Sequence, residues 1–309
     1  KKSVFNNNLS NIIYKASGNF YGLYLGILGD GTTTSGSSIY NNTVSNILDS
    51  CTTYGFNIAN TNASPNYPIT LYKNNVNNLT SLNPSAKVYA YYLGAGTAGM
   101  NFYDNKGYNI SANGATGVSY GIYTQNSNPY NFYNNYIGDI KAPYASQTSS
   151  PYICASGIYL NSGSNVNVIY NTVYLNTSST GTNFTSNAVY ASTSITSLNM
   201  QNNIFVNLSV PKGSGYTAAY QRSSNTILSY AATSNNNLFY AGTPATKNVI
   251  YFDGTNSAQT LSSYKIIASG RDGMSITENP NFLSTTGSDA NYLHIDPSIA
   301  TQIESGGLI

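Results

Sequence analysis

Charged side chains are scarce in this chain of 309 residues, because Asp, Glu, Lys and Arg together make up 7% of it, against about 25% in an ordinary soluble protein. The 12 basic and 10 acidic residues leave a net charge of +2. A nucleic-acid binder needs clustered Lys and Arg to neutralise phosphates, so the composition excludes that function, and it excludes a polybasic membrane-surface binder for the same reason. No apolar run approaches the length of a membrane-spanning helix, so no transmembrane segment is expected.

Tryptophan is absent, and the chain has only two Cys and one His. Cys51 and Cys154 are about three periods apart in the repeat described below, which is roughly 14 Å in a stack of strands. A disulfide needs Cα atoms within about 7 Å, so we expect two unpaired, buried thiols. No metal-ligand spacing surrounds His294, and a packed position is its simpler interpretation. Neither a metal nor a cofactor is expected.

Asparagine and tyrosine are abundant instead, with 46 Asn and 30 Tyr beside 27 Gly. Asn and Gly at this density disfavour long helices. A disordered chain is also excluded, because 40% hydrophobic and 13% aromatic residues are too many for one.

A nine-residue motif recurs eight times, at intervals of 30 to 36 residues. Residues 4–12, 39–47 and 71–79 read VFNNNLSNI, IYNNTVSNI and LYKNNVNNL, and weaker copies follow towards the C-terminus. Internal repeats of this length indicate a repetitive architecture. The fourth position of the motif is Asn in every copy: Asn7, Asn42, Asn74, Asn105, Asn135, Asn171, Asn202 and Asn236.

Each period also contains a small residue, an apolar residue and usually Tyr, as in Gly22-Leu23-Tyr24. A period therefore holds short β-type runs separated by turn residues. Helical repeats of similar length need long runs with a 3.6-residue apolar period, and here Asn and Gly interrupt every run. The sequence predicts an all-β fold: a parallel β-helix (solenoid) of about eight rungs of about 33 residues.

The Asn positions have a physical explanation in such a fold. A parallel β-helix bends sharply between strands, and Asn tolerates the positive φ that a bend often needs. If every rung bends at the same place, the Asn amides stack and donate hydrogen bonds to one another. We interpret the eight Asn above as a structural Asn ladder. Four residues later, a second ladder is predicted from Asn11, Asn46, Asn78, Asn109 and Asp139.

This repeat, with an Asn between two strands, resembles the right-handed parallel β-helix family, the architecture of pectate lyases and many large secreted bacterial surface proteins. The segments 279–283 (NPNFL) and 292–297 (YLHIDP) are similar to the end of β-helix regions in large secreted proteins of Bacteroidota-type bacteria. The likeness of the rungs covers residues 1 to about 252. It implies a right-handed coil and an exported bacterial protein that is displayed at the cell surface or released from it.

The repeat fails near Ser262. We therefore expect a β-helix over 1–262 and a C-terminal cap over 263–309, because an uncovered terminal rung exposes strand edges and core. The alternative for 263–309 is the start of a linker to a missing module. We interpret the chain as a segment of a longer protein.

Enzymes of this family, by resemblance, use carboxylates on an exposed strand face. General acid–base or metal chemistry needs carboxylates within roughly 5–10 Å of each other. Here Asp104 and Asp139 fall at different rung positions, and no two acids share a column on adjacent rungs. The sequence therefore predicts a non-enzymatic protein, with a polysaccharide lyase or glycoside hydrolase as the less favoured alternative.

Aromatic residues recur at two positions of the repeat, and strand alternation should turn them outward. They are candidates for contact with sugar rings or with a neighbouring rod; the alternative is stacking between rungs that only stabilises the fold. The first column is Phe5, Tyr40, Tyr72, Tyr103 and Tyr133, and the second is Tyr24, Tyr123, Tyr159, Tyr190, Tyr220 and Tyr251.

These observations predict an extracellular structural or adhesive rod, part of a larger cell-surface or filament-forming protein such as an adhesin. The expected partners are other copies, in fibres or in a cell-surface assembly. The alternative is a carbohydrate-binding module that holds a polysaccharide on the exposed Tyr stripe. Binding to nucleic acid is not expected.

Overall fold

The computed structural model describes residues 2–26, 36–59, 67–150 and 152–305. The chain forms three strands in each rung, and each strand pairs in parallel with its equivalent in the next rung. The result is a β-solenoid of about seven turns with about 32 residues per turn. The predicted parallel β-helix and its period are confirmed.

Sheet 1 holds the short strand that leads into each bend. Its seven strands in the described ranges are β1 (Ser3–Phe5), β4 (Ser38–Tyr40), β7 (Ile69–Tyr72), β10 (Met100–Tyr103), β13 (Tyr130–Tyr133), β16 (Gly163–Ile169) and β19 (Ile195–Gln201).

Sheet 2 follows the bend after two residues in most rungs. Its eight described strands are β2 (Asn8–Tyr14), β5 (Thr43–Asp49), β8 (Asn75–Ser81), β11 (Lys106–Ala112), β14 (Tyr136–Lys141), β17 (Thr172–Leu175), β20 (Ile204–Asn207) and β22 (Leu238–Tyr240).

Sheet 3 completes the rung and ends with an antiparallel pair. Its nine strands, within the part of the chain that is described, are β3 (Asn19–Leu25), β6 (Thr52–Ala59), β9 (Lys87–Gly94), β12 (Val118–Thr124), β15 (Ile153–Leu160), β18 (Thr185–Ala191), β21 (Thr217–Arg222), β23 (Asn248–Phe252) and β24 (Ser257–Ala258).

The core runs through the centre of the solenoid as columns of apolar residues in register. Ile39, Leu71 and Phe102 lie above one another on the inner face of sheet 1, and all three are fully buried. Burial of this kind, repeated at each inward position, supplies the main stabilising term.

A column of small residues lets sheet 3 approach sheet 2. A Cβ on Gly121 would lie 2.3 Å from the Cγ2 of Ile137, and a Cβ on Gly157 would lie 2.3 Å from the Cγ1 of Val173. Where sheet 3 has Ala90 instead of Gly, sheet 2 has Gly107 opposite, so the space is kept. This close approach explains the small residue in the repeated small–apolar–Tyr motif.

Helix α1 (Leu261–Ala268) covers the C-terminal end of the core. The hydroxyl of Thr260 caps its first turn by accepting from the Ser263 N–H at 3.3 Å. Tyr264 is fully buried, with its ring 5.2 Å from Tyr251 and 5.4 Å from Phe239. The predicted boundary at residue 262 therefore falls inside the helix that closes the end.

Residues 271–276 continue this cover by pairing with the last rung, as Ile276 does with Leu238, and the later residues return along the outer face of sheet 2. Tyr292 is buried over Gly138, with its ring 5.5 Å from that of Tyr108. Isolated bridges join Phe282 to Ile295 and Ser284 to Tyr292. A short 3₁₀ helix, Gln302–Ser305, ends the described chain, and residues 306–309 of the predicted cap lie outside the described ranges.

Candidate functional site

A ladder of Asn side chains, buried in every rung except at Asn7, follows the bend between sheets 1 and 2; we call it the buried ladder. In a typical rung, the Asn105 amide donates to the Oδ1 of Asn135 at 3.2 Å and to the carbonyl of Leu71 at 3.1 Å. The Asn105 backbone N–H donates to the same Oδ1 at 3.0 Å. The members are Asn7, Asn42, Asn74, Asn105, Asn135, Asn171, Asn203 and Asn237.

The prediction for the last two rungs was wrong by one residue. Asn203 and Asn237 occupy the ladder, whereas Asn202 and Asn236 precede it with φ of 55° and 58°. Consecutive Asn residues in these weak copies allowed either alignment. The predicted link between the ladder and positive φ also needs a correction. The residue before each ladder Asn has the positive φ, as Asn134 does, and the ladder Asn itself does not.

Asp272 ends the buried ladder. Its Oδ1 accepts from the Asn237 amide at 2.9 Å and from the Ser275 hydroxyl at 2.6 Å. Its Oδ2 accepts from the hydroxyls of Tyr230 and Tyr264, both at 2.6 Å. A fully buried carboxylate thus satisfies the donors at the last rung. Sequence reasoning missed this role, because Asp272-Gly273 resembles an ordinary turn.

The second set of predicted Asn forms a surface ladder, exposed at Asn11 and Asn46 and half-buried in the later rungs. Asn46 donates to Asn11 at 3.0 Å, and Asn78 donates to Asn46 at 2.7 Å. Asn109 donates to Asn78 at 2.7 Å. Lys141 continues the column by donating to the Oδ1 of Asn109 at 3.1 Å, and it forms an ion pair with Asp139 at 2.8 Å. All five predicted positions have positive φ.

A third ladder on the outer face of sheet 1 was not predicted. It joins Asn101, Asn131, Asn167 and Asn199, with amide-to-oxygen distances of 2.9, 2.8 and 3.2 Å. Its signal in the sequence is an Asn two residues before the aromatic position of the motif.

The first aromatic column stacks along the axis of the solenoid. Ring centroids from Phe5 through Tyr40, Tyr72 and Tyr103 to Tyr133 are 4.6 to 5.1 Å apart, and the planes differ by 3° to 9°. Neighbouring rings therefore cover each other's faces, and the edges remain for solvent. Phe5 is 47% exposed and Tyr133 is 37% exposed at the two ends.

The second aromatic column needs a correction at its C-terminal end. Tyr24, Tyr123, Tyr159 and Tyr190 occupy one outward position of sheet 3, but Tyr220 and Tyr251 do not share it.

Tyr220 pairs with Val189, faces the core and is fully buried, and Tyr251 follows it inward. Gln221 and Phe252 take the outward positions. The motif shifts by one residue in these rungs, because the large inward rings pack against Tyr264 at the closed end.

Sheet 3 carries a second tyrosine column that sequence reasoning missed. Tyr21, Tyr54, Tyr89 and Tyr120 stack at 4.9 to 5.1 Å. The sequence signal of this missed column is a Tyr immediately before the small residue of the motif. In the neighbouring column, Tyr92 lies one rung before Tyr123, and its ring meets that of Tyr89 edge to face at 5.1 Å.

These two columns form the tyrosine cluster, which we define as Tyr21, Tyr24, Tyr54, Tyr89, Tyr92, Tyr120, Tyr123, Tyr159 and Tyr190. Burial, reinforced by neighbouring phenolates, raises the pKa of both Tyr54 and Tyr92 to about 12. The cluster is thus a small second core on the outside of sheet 3.

The described residues contain no group of three or more His, Cys, Asp or Glu side chains that could hold a metal ion. Asp49 is buried, and its carboxylate accepts from the Thr53 hydroxyl and from the Cys51 N–H. Cys51 and Cys154 are free and buried, as predicted, and burial raises the pKa of each thiol to about 11. Both thiols are therefore protonated and weakly nucleophilic at neutral pH.

A groove of about 370 Å³ lies between the last strands of sheet 2 and the returning segment 293–303. Its floor is the outward position directly after the ladder Asn. In early rungs that position holds polar residues, and from the fifth rung it holds Tyr136, Thr172, Ile204, Leu238 and Ile276.

Asn134, Tyr170, Asn202 and Asn236 line one side of this groove. Leu293, His294, Ile295 and Ile303 line the other side. His294 is exposed, with its ring 5.4 Å from that of Tyr136, so the packed position predicted for it was wrong.

No described helix is long and apolar enough to cross a membrane.

Comparison with known proteins indicates no function, since no family model, curated protein or solved structure matches this chain.

Proposed function

We propose that this protein is a non-enzymatic structural or adhesive rod, a segment of a larger extracellular protein at the cell surface or in a filament. The observation that carries the proposal is that most of the candidate residues connect one rung to the next. Three Asn ladders and three aromatic columns run parallel to the axis, in addition to the strand pairing.

This arrangement suits a part that resists deformation. Bending or shearing the rod at any rung must disturb paired strands in three sheets and the side-chain contacts that cross the same boundary. Buried amide hydrogen bonds are costly to leave unpaired, so the ladder resists local opening. The same contacts leave few polar groups aimed at a substrate.

Self-association of such rods would be lateral. The C-terminal end is covered by α1, which argues against axial stacking through that end. The outer face of sheet 1 instead offers a ladder of Asn beside the stacked Phe5–Tyr133 column, and neither column contains a charged residue. Asn ladders and stacked aromatics are features that favour tight packing between sheets.

The second candidate function is carbohydrate binding, in the groove beside sheet 2 and not on the exposed Tyr stripe. A sugar ring contacts the electron-rich face of an aromatic ring, and the faces within each column are covered by neighbouring rings. The observation that favours carbohydrate binding is the groove beside sheet 2, which is treated below. A polysaccharide lyase or hydrolase stays the least supported alternative.

Electron microscopy of the purified chain, together with fractionation of the source cells, tests the main proposal. We expect rods or laterally aligned bundles, and we expect the protein in the surface or secreted fraction, where added protease reaches it in intact cells. A protein found only inside the cell would contradict an extracellular role. Monodisperse short rods at all concentrations would contradict self-assembly and leave the adhesive role.

A further inference from the structure

We propose that the groove between sheet 2 and the segment 293–303 is a binding site for a short, uncharged oligosaccharide, with Tyr170 as the aromatic platform. The proposal goes beyond the role as a rod and does not depend on it.

Tyr170 has a backbone conformation that its side chain does not favour. It occupies the bend position directly before the buried ladder, where every described rung has a φ between 54° and 58°. Asn and Asp adopt this left-handed conformation readily, whereas a bulky residue there is an outlier. The column is Asn6, Asn41, Lys73, Asp104, Asn134, Tyr170, Asn202 and Asn236.

A bulky residue at a strained position is informative because strained backbone conformations cluster at functional sites. Tyr152 and Leu293 each have a positive φ of 58°, and Leu293 also lines the groove. Tyr170 is 51% exposed, and it lines the groove. The fold itself would be served as well or better by Asn, as in the rungs on either side. The aromatic ring at this bend thus combines a strained backbone with exposure towards the groove.

The other lining residues match the surface of a sugar. Asn134, Asn202 and Asn236 place side-chain amides, which combine donor and acceptor groups, along one side of the groove, and Asn134 also donates to the Oδ1 of Asp104. His294 and Tyr136 add ring polar groups. The aliphatic floor of Ile204, Leu238 and Ile276 suits the C–H face of a pyranose. Pockets of this kind combine an apolar lining with a few placed polar groups.

The groove also restricts the charge of its ligand. None of the described lining residues is Asp, Glu, Lys or Arg. An anionic or cationic ligand would lose its hydration there without an opposite charge in return. A volume of about 370 Å³ lies at the lower end of the usual range for ligand sites, about 300–1,000 Å³, which suits a short oligosaccharide.

The test is saturation-transfer NMR followed by calorimetry on the whole chain, with a panel of neutral trisaccharides of glucose, mannose, galactose and N-acetylglucosamine. Trigalacturonic acid serves as the anionic probe, and decanol serves as the aliphatic probe. We expect at least one neutral trisaccharide to bind and trigalacturonic acid to bind at least tenfold more weakly.

Variants at the bend position separate binding from folding. Tyr170→Asn should reduce the affinity at least tenfold while the melting temperature stays equal or rises, because the strain is relieved. Tyr170→Phe keeps the ring and should retain most of the affinity. Lys73→Asn is the matched control, since it changes the same position of the column away from the groove and should leave binding unchanged.

Three results would overturn the proposal. They are the absence of binding by every neutral saccharide of the panel, binding that Tyr170→Asn leaves unchanged, and binding of decanol without any saccharide. Microscopy of rods and bundles is independent of all three, so a failure here leaves the structural role intact.

Discussion

Asparagine performs two different tasks at adjacent positions of this chain. The residue at the bend adopts positive φ, and the residue after it places its amide in the buried ladder. Asn suits the bend because of its short polar side chain. It suits the ladder because one amide donates and accepts at once, so the same residue type is used twice for separate physical reasons.

Replacing one buried ladder residue tests the second task. Asn105→Ala removes the acceptor of Asn74 and the donor to Asn135. Because these partners stay buried, we expect a loss of about 1–3 kcal/mol for each unsatisfied group. Urea unfolding followed by circular dichroism measures it. The matched control is Asn131→Ala on the outer ladder of sheet 1, which has no positive φ and is half-exposed, so that water replaces the lost bonds and the change should stay within about 0.5 kcal/mol. Equal effects would mean that the buried ladder contributes nothing special.

Asp272 tests the end of the ladder. Asp272→Asn keeps the shape but replaces one acceptor oxygen with a donor. Asn237, Ser275, Tyr230 and Tyr264 all donate to this carboxylate, so at least one buried donor loses its partner. We expect a loss of about 1–3 kcal/mol in urea unfolding. Asp289→Asn, at an exposed turn, is the control and should be close to neutral. Unchanged stability in Asp272→Asn would show that the carboxylate is replaceable.

The local sequence motif determines the strand register in some rungs and leaves it undecided in others. In the strong copies of the motif, the apolar, aromatic and Asn positions all agree on one register, and the structure has that register. In the weak copies, runs such as Asn235-Asn236-Asn237 fit two registers, and the correct one depends on contacts made 34 or more residues away. Local pattern could not decide between them.

The groove and the end of the buried ladder could not be predicted from the repeat, because both are formed by residues that follow it. The carboxylate of Asp272 reaches Tyr264 and Asn237 only because α1 folds over the last rung. The groove exists only because the chain reverses and Tyr292 packs over Gly138. Neither the fold of α1 over the last rung nor the reversal of the chain has a periodic signal in the sequence. The floor of the groove has one, because the residue after the ladder Asn is polar in the early rungs and mostly apolar in the later ones.

The contact between sheets 2 and 3 depends on the column of small residues. Gly121→Ala would place a Cβ 2.3 Å from Ile137 and 2.5 Å from the carbonyl of Gly157. Overpacking of this kind typically costs about 1–3 kcal/mol, measured by urea unfolding.

With Ile137→Ala added, the total loss should be smaller than the sum of the two single losses, because the shorter side chain makes room for the new Cβ, as in the native pair of Ala90 and Gly107. The control is Gly273→Ala, where no atom lies within 4 Å of the added Cβ. A double variant whose loss equals the sum of the two single losses would contradict direct contact between these residues.

The whole molecule should be sensitive to alkali because so much of its side-chain packing consists of tyrosine. Burial raises the pKa of Tyr54 and Tyr92 to about 12, and it raises those of Tyr89 and Tyr159 further. An unfolded chain ionises its tyrosines near pH 10. Between pH of about 10 and 12, the unfolded state therefore releases protons that the folded state keeps. The free energy of unfolding is unaffected by these groups below pH 10 and falls as the pH rises through that window.

Urea midpoints at pH 8, 9, 10 and 11, with tyrosinate absorbance recorded in parallel, measure this effect. We expect constant midpoints up to pH 9 and a steep fall above pH 10, with tyrosinate absorbance rising together with the loss of β-sheet circular dichroism. The double variant Tyr54→Phe and Tyr92→Phe removes two of the titrating groups, so its midpoint should fall less steeply. Tyr144→Phe, at an exposed ring, is the control and should follow the parent chain. If most tyrosines ionised near pH 10 while the β-sheet signal persisted, the cluster would have to be open to solvent, and its role as a second core would fail.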